Sequence, residues 1–142
     1  MSTHAAVIVK LANGKYRGVY SHSDGYGLLP YLQTLAPTQE TAEQLIALGS
    51  ISVLHSCTRI VPLGEHSFNK QEPGTVVAYH RDRQDPWDEV KPITSAKWLT
   101  VAKKSGHSGY AYVFENGAWT MYQSGGYGCN KFKKVEPVAE TA

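Results

Sequence analysis

"AAVIVKLANGKYRGVY", residues 5–20, decides how the rest of the chain is read. The apolar run Ala6-Val7-Ile8-Val9 leads to Asn13-Gly14, the dipeptide best suited to the positive φ angles of a type I′ turn. Tyr16, Gly18 and Tyr20 then alternate with Arg17, Val19 and Ser21, as a returning strand does. This is a β-hairpin. "GYAYVFENGAWTMYQ", residues 109–123, repeats the pattern around Asn116-Gly117. It places Tyr110, Tyr112 and Phe114 on one face, and Trp119 and Met121 together on one face of the partner strand.

Between the hairpins, Pro30 divides "GLLPYLQTLAPTQETAEQLIALGS" (27–50) into a short apolar turn and a helix. Thr38 is its N-cap, Glu40 and Glu43 lie near the positive end of its dipole, and Gly49 stops it. Ala42, Leu45, Ile46 and Gly49 fall at i, i+3, i+4 and i+7, a core-facing stripe. Residues 50–74 read as irregular. "TVVAYHRDR" (75–83) reads as a strand, ended by Pro86. "SAKWLTVAKKSGH" (95–107) reads as a second helix, capped by Ser95 and closed by Gly106. The order is ββ–α–loop–β–α–ββ. It predicts an α+β fold: a mainly antiparallel sheet of two hairpins and a middle strand, with two helices packed on one face. Residues 1–135 are expected to form a single domain, and 136–142 a frayed tail.

The chain has 142 residues, 42% hydrophobic and 18% charged, with nine tyrosines and a net charge of +2. That length can bury a core without staples. That charge, with one short basic run near residue 133, does not predict nucleic-acid binding. Cys57 and Cys129 form neither a CxxC pair nor a framework, so a reducing cytoplasm is the default, and their pairing stays open. The amino terminus lacks a charged n-region and a cleavage site, and no apolar run reaches membrane-spanning length.

The candidate functional residues cluster in two stretches. In "YSHSDGYG" (20–27), His22 and Asp24 would share one side of an extended chain. "YHRD" supplies a second such pair, His80 and Asp82, so two His-x-Asp pairs could converge on a metal. The spacing is equally that of an Asp24-Gly25 turn, and no metal or other cofactor is expected. In "RDR", Arg81 and Arg83 flank Asp82 as a forked anion clamp would. If loop and strand end meet, Tyr20, His22, Tyr26 and both arginines line one pocket, with stacking for a base and guanidinium for a phosphate. The weightier alternative is structural: a buried Arg–Asp bridge, with Asp24 pairing Arg81 or Arg83. Tyr20, His22, Asp24, Tyr26, Arg81, Asp82 and Arg83 are therefore the candidate contact surface, with no catalytic residue assigned. No nucleophile elbow, phosphate loop or HExxH helix is present, and Cys57 after His55 lacks an orienting third group. Trp87, in the polar "DPWDE", is of the type that anchors protein partners.

Taken in order, "YSHSDGYG", "LIALGSIS" (45–52), "YHRDR" (79–83) and "YAYVFENGAW" (110–119) resemble a group of small bacteriophage and prophage proteins. These carry a Tyr-x-His-Trp-Asp-Gly-Tyr-Pro-like loop and an Arg-Asp-Arg strand end. Ser23, Gly27 and Ser50 depart from the Trp, Pro and Asp of that pattern. The resemblance implies an origin rather than an activity: a phage accessory gene acting on host machinery or host defence, in the host bacterial cytoplasm. The expectation is a non-enzymatic protein that binds a host bacterial protein and inhibits or redirects it. The alternative is a nucleotide-binding module that sequesters or hydrolyses a small phosphorylated ligand.

Overall fold

The computed structural model describes residues 4–22, 27–105, 109–124 and 132–135. The fold is α+β. Strands β1 (Ala5–Lys10) and β2 (Tyr16–Ser21) precede helices α1 (Leu29–Leu35) and α2 (Gln39–Ile46). Then come β3 (Ile51–Val53), β4 (Val77–Ala78), α3 (Tyr79–Arg83), α4 (Trp87–Val90), β5 (Ile93–Ser95) and α5 (Trp98–Lys104). Strands β6 (Tyr110–Glu115), β7 (Ala118–Ser124) and β8 (Phe132–Val135) complete the described elements. The strands join in the order β4-β3-β2-β1-β6-β7-β8, with β5 pairing β2 off this path.

Both hairpins form, but their turns differ. Asn116 and Gly117 both have positive φ, 55° and 80°, as a type I′ turn requires. In the first hairpin only Gly14 is left-handed, at 85°. Gly14 N donates to Leu11 O at 3.0 Å and Leu11 N to Lys15 O at 2.7 Å. That pattern is a type I turn followed by a glycine bulge, not the predicted I′ turn.

Most strand pairings are antiparallel, as predicted, but the sheet is mixed. β1 runs parallel to β6 through five register pairs, Ala5↔Tyr110 to Val9↔Phe114, and β2 parallel to β3 at Ser21↔Ile51. The two hairpins thus meet through their first strands. A strand in that position is covered on both faces, and residues 5–9 are all fully buried. Ala5, Val7 and Val9 face one core with Tyr112, Phe114 and the helices α1 and α2. Ala6 and Ile8 face a second, with Ala111, Val113 and Val101 and Ala102 of α5. The helices therefore flank the sheet instead of sharing one face. Gly18 makes room for α5: a Cβ there would sit 2.8 Å from Val101 and 2.7 Å from Ile8.

Among the described residues, five helices form where two were predicted. Pro30 opens α1 rather than merely interrupting an apolar turn, since its missing N–H costs nothing in the first turn. Aromatic residues of the second hairpin pin this helix at both ends. Leu28 N donates to the Tyr112 hydroxyl at 3.3 Å, and Trp119 Nε1 donates to Ala36 O at 2.8 Å. "TVVAYHRDR" is strand only for Val77–Ala78, and "YHRDR" turns helical because Asp82 reaches back to the Ala78 N–H at 2.7 Å. Ser95 ends β5 instead of capping α5, whose N-cap is Lys97 without a side-chain bond. Gly106 lies outside the described residues. Among those residues, no helix is long and apolar enough to cross a membrane.

Helix α2 matches its sequence signal closely. The Thr38 hydroxyl accepts from Thr41 N at 3.2 Å while the Thr41 hydroxyl accepts from Thr38 N at 3.0 Å. Thr38→Ala removes this reciprocal cap, so urea unfolding should show a loss of about 1 kcal/mol. A change within error would mean that tertiary contacts alone hold the helix start.

Candidate functional site

The sheet order brings the ends of β2 and α3 together. β3 pairs with the last residue of β2, and β4 returns beside β3 and runs straight into α3. His22 N donates to Ile51 O at 2.9 Å and Tyr79 N to Ser50 O at 3.2 Å, so three segments converge. Between them lies an open groove of about 720 Å³. Tyr20 and His22 form one wall, Tyr79, Arg83 and Asp85 another, and Phe68 reaches in from the long segment before β4. Ser50, Ser52, Glu89 and Val90 complete it.

Its geometry is aromatic and already fastened. The Tyr20 hydroxyl and His22 Nδ1 share a hydrogen bond at 2.8 Å. His4 stacks on His22 with centroids 4.7 Å apart and donates through Nδ1 to the His22 carbonyl. The Arg83 guanidinium lies 4.8 Å from the Phe68 centroid and 4.6 Å from that of Tyr79, a double cation–π contact. Left-handed Gln84, φ 67°, ends α3 and swings Asp85 back beneath it. Asp85 then takes Arg83 in a fork, with both N–H···O distances at 2.7 Å. The shared fork raises Arg83 above its ordinary pKa and, as the main cause, lowers that of Asp85. Burial pushes the Tyr20 hydroxyl above its ordinary value.

Arg81 and Asp82 sit elsewhere. The Asp82 side chain is 3% exposed and takes Arg81 Nε at 2.9 Å. Arg81 also donates to Ile60 O at 2.6 Å and to Val76 O. His66 Nε2 lies 3.2 Å from Asp82 Oδ2, too poorly aligned for a hydrogen bond. The other ring nitrogen of His66 accepts the Glu72 N–H at 2.9 Å, which puts the proton of the neutral ring on Nε2. Burial would push Asp82 upward, but the Arg81 hydrogen bond, the Ala78 N–H and the nearby charges outweigh it and hold the carboxyl low. This network ties residues 59–76 to α3 and is structural. Of the two readings of "RDR", the Arg–Asp bridge forms at Arg81 and Asp82, and the two-arginine clamp does not, because Arg81 is spent on buried carbonyls.

Of the seven predicted contact residues, Tyr20, His22 and Arg83 share the groove, while Arg81 and Asp82 turn inward. Asp24 and Tyr26 lie outside the described residues; among those described, Arg81 and Arg83 take Asp82 and Asp85. The His80 and Asp82 pair does not meet at a shared point: His80 Nδ1 bonds Asp85 O at 2.8 Å and its ring packs on Trp87. Among the described residues, no three His, Cys, Asp or Glu side chains are grouped as a metal needs. Cys57 is buried, and burial pushes its thiol up to about 11, where it is a poor nucleophile. Cys129 is outside the described residues.

No family model matches the chain, and neither a curated protein nor a solved structure matches it. Function therefore rests on the groove itself.

Among the groove residues that sequence reasoning missed are its further aromatic and charged side chains, Phe68, Tyr79, Asp85 and Glu89. Tyr79 and Asp85 flank the "HRDRQ" stretch, and a helical rather than extended period there would have put Tyr79 and Arg83 on one face. Phe68 stands in an aperiodic segment and carries no such signal.

Proposed function

We propose that the protein is a non-enzymatic binding protein whose Tyr20–His22–Phe68–Tyr79–Arg83 groove receives a segment of a protein partner. The observation that carries this reading is the contact of Arg83 with both the Phe68 and Tyr79 rings, held by Asp85 beside the Tyr20–His22 pair. Tyr and Arg dominate interface hot spots, and side chains already locked in place lose little entropy on docking. The open shape suits a macromolecular surface better than an enclosed small molecule. Its charge also weighs against a phosphorylated ligand. Arg83 is already paired with Asp85, and Glu89 adds a second carboxylate to the groove. With the resemblance to phage proteins, the partner is a host bacterial protein that the chain inhibits or redirects.

The test is capture from bacterial lysate followed by reconstitution with the purified captured protein. Tyr79→Ala and Arg83→Ala should each weaken binding by tenfold or more, about 1.4 kcal/mol, while Lys15→Ala, exposed in the turn at the other end of β2, leaves it unchanged. Equal capture by all three variants would sink the reading. A nucleotide panel should leave the unfolding midpoint flat. A ligand at about a hundred times its dissociation constant would add about 2.7 kcal/mol, and such a shift, abolished by Arg83→Ala, would install the nucleotide alternative.

A further inference from the structure

A second groove, of about 630 Å³, lies between α2 and the segment from α4 to β5. It is separate from the groove of the proposed function and shares no lining residue with it. One side is the outer surface of α2, carrying Glu40 and Glu43. The other is the β2–β5 pair, carrying Arg17 and Thr94 in register, with Lys91 just before it. Trp87 stands at the groove 39% exposed, the only aromatic among the large hydrophobic side chains exposed in the described residues. Its ring is steadied from behind by His80 at 5.0 Å.

Lys91 pairs with Asp88 at 3.5 Å, but the other charges of this groove are unspent. Arg17 Nε donates to the Thr94 hydroxyl at 3.1 Å, and Glu43 accepts from Gln39 at 2.8 Å, both neutral partners. Neither they nor Glu40 take an ion pair among the described residues. Carboxylates thus line one side and a guanidinium and an ammonium the other, with a partly exposed indole in the lining. A purely anionic or purely cationic ligand would meet a like charge on one side. A ligand bearing an ammonium, a carboxylate and an apolar side chain satisfies all three features at once.

We propose that this groove binds a small zwitterion of the amino-acid or dipeptide type, its carboxylate on Arg17, its ammonium on Glu40 and Glu43, and its side chain against Trp87. The volume holds either ligand, and the spacing of their charged ends distinguishes them.

The experiment is calorimetric titration of the full chain with L-phenylalanine and glycyl-L-phenylalanine, alongside N-acetyl-L-phenylalanine and L-phenylalaninamide. At least one zwitterion should bind saturably, and each charge-blocked probe should bind about tenfold more weakly or worse. Arg17→Ala and the double change Glu40→Gln with Glu43→Gln should each reproduce that loss at an unchanged unfolding midpoint. Arg17→Lys, which keeps the charge, should recover part of it, which separates recognition from folding. No saturation up to the solubility limit of the probes overturns the proposal, as does equal binding of the blocked derivatives. Tyr79→Ala and Arg83→Ala should leave this binding intact, so its failure and that of the protein-partner reading are independent.

Discussion

Asp82→Ala should cost the protein about 3–5 kcal/mol, the penalty of breaking a buried ion pair from one side. The carboxylate is almost fully enclosed and serves Arg81, the Ala78 N–H and the neighbouring His66. Removing it strands a partly buried guanidinium and a backbone donor together, at the point where α3 begins. Asp82→Asn keeps an oxygen for Ala78 but not the charge for Arg81, so it should fall between wild type and alanine. The effect should also depend on pH in one direction. Because the folded carboxyl is held low, its contribution is complete above the unfolded aspartate value of about 3.9. It is lost as the pH falls through the lower folded value. Urea curves at neutral pH and in acid should therefore show the gap between wild type and Asp82→Ala closing on acidification. A gap that stayed constant, or widened in acid, would mean that the charge of Asp82 is not what stabilises the fold.

The same residue shows why the site was only half legible. "RDR" announced paired charges, and the Arg81–Asp82 bridge is one of them. Which arginine would face inward was set by the helical turn of residues 79–83, which an extended reading cannot represent. Once the segment is helical, Tyr79 and Arg83 lie a turn apart and share the groove, while Asp82 points at the irregular chain of residues 59–76. That chain has no period to read. It is held by polar contacts at specific points: Glu72 accepts from Leu63 N and Gly64 N, and Arg81 binds the Ile60 carbonyl. Such contacts depend on distant residues and leave no local pattern.

The hairpins were legible because Asn-Gly pairs state a turn and alternation states a strand. The sheet's handling of β1 was legible too, in a way the hairpin reading passed over. Residues 5–9 do not alternate; an unbroken Ala-Ala-Val-Ile-Val run is what a strand buried on both faces looks like. Read so, it calls for a cover on each face and hence for helices on both sides. Its parallel pairing with β6 has no comparable signal, since the register comes from two hairpins more than ninety residues apart.

Gly49→Ala is the second change expected to do severe damage, and it tests the corner on which both grooves depend. Gly49 follows α2 at φ 81°, a left-handed geometry that costs an L-residue about 1–2 kcal/mol. Its missing side chain matters as much. A Cβ would sit 2.5 Å from the Val90 carbonyl oxygen and 3.2 Å from the Trp87 ring. That carbonyl cannot simply retreat, because it accepts the Ser50 N–H at 2.8 Å. Overpacking of this kind adds about 1–3 kcal/mol, for a total of about 2–5 kcal/mol. Gly117→Ala supplies the comparison: φ is 80°, but nothing lies within 4 Å of its Cβ, so only the conformational part remains. Chemical denaturation of the two variants should separate strain from collision. Trp87 emission should shift in Gly49→Ala alone, since Ser50, Trp87 and Val90 must move together. Equal losses in the two variants would show that the Val90 wall yields freely, and that the groove residues around it are not held as rigidly as their contacts require.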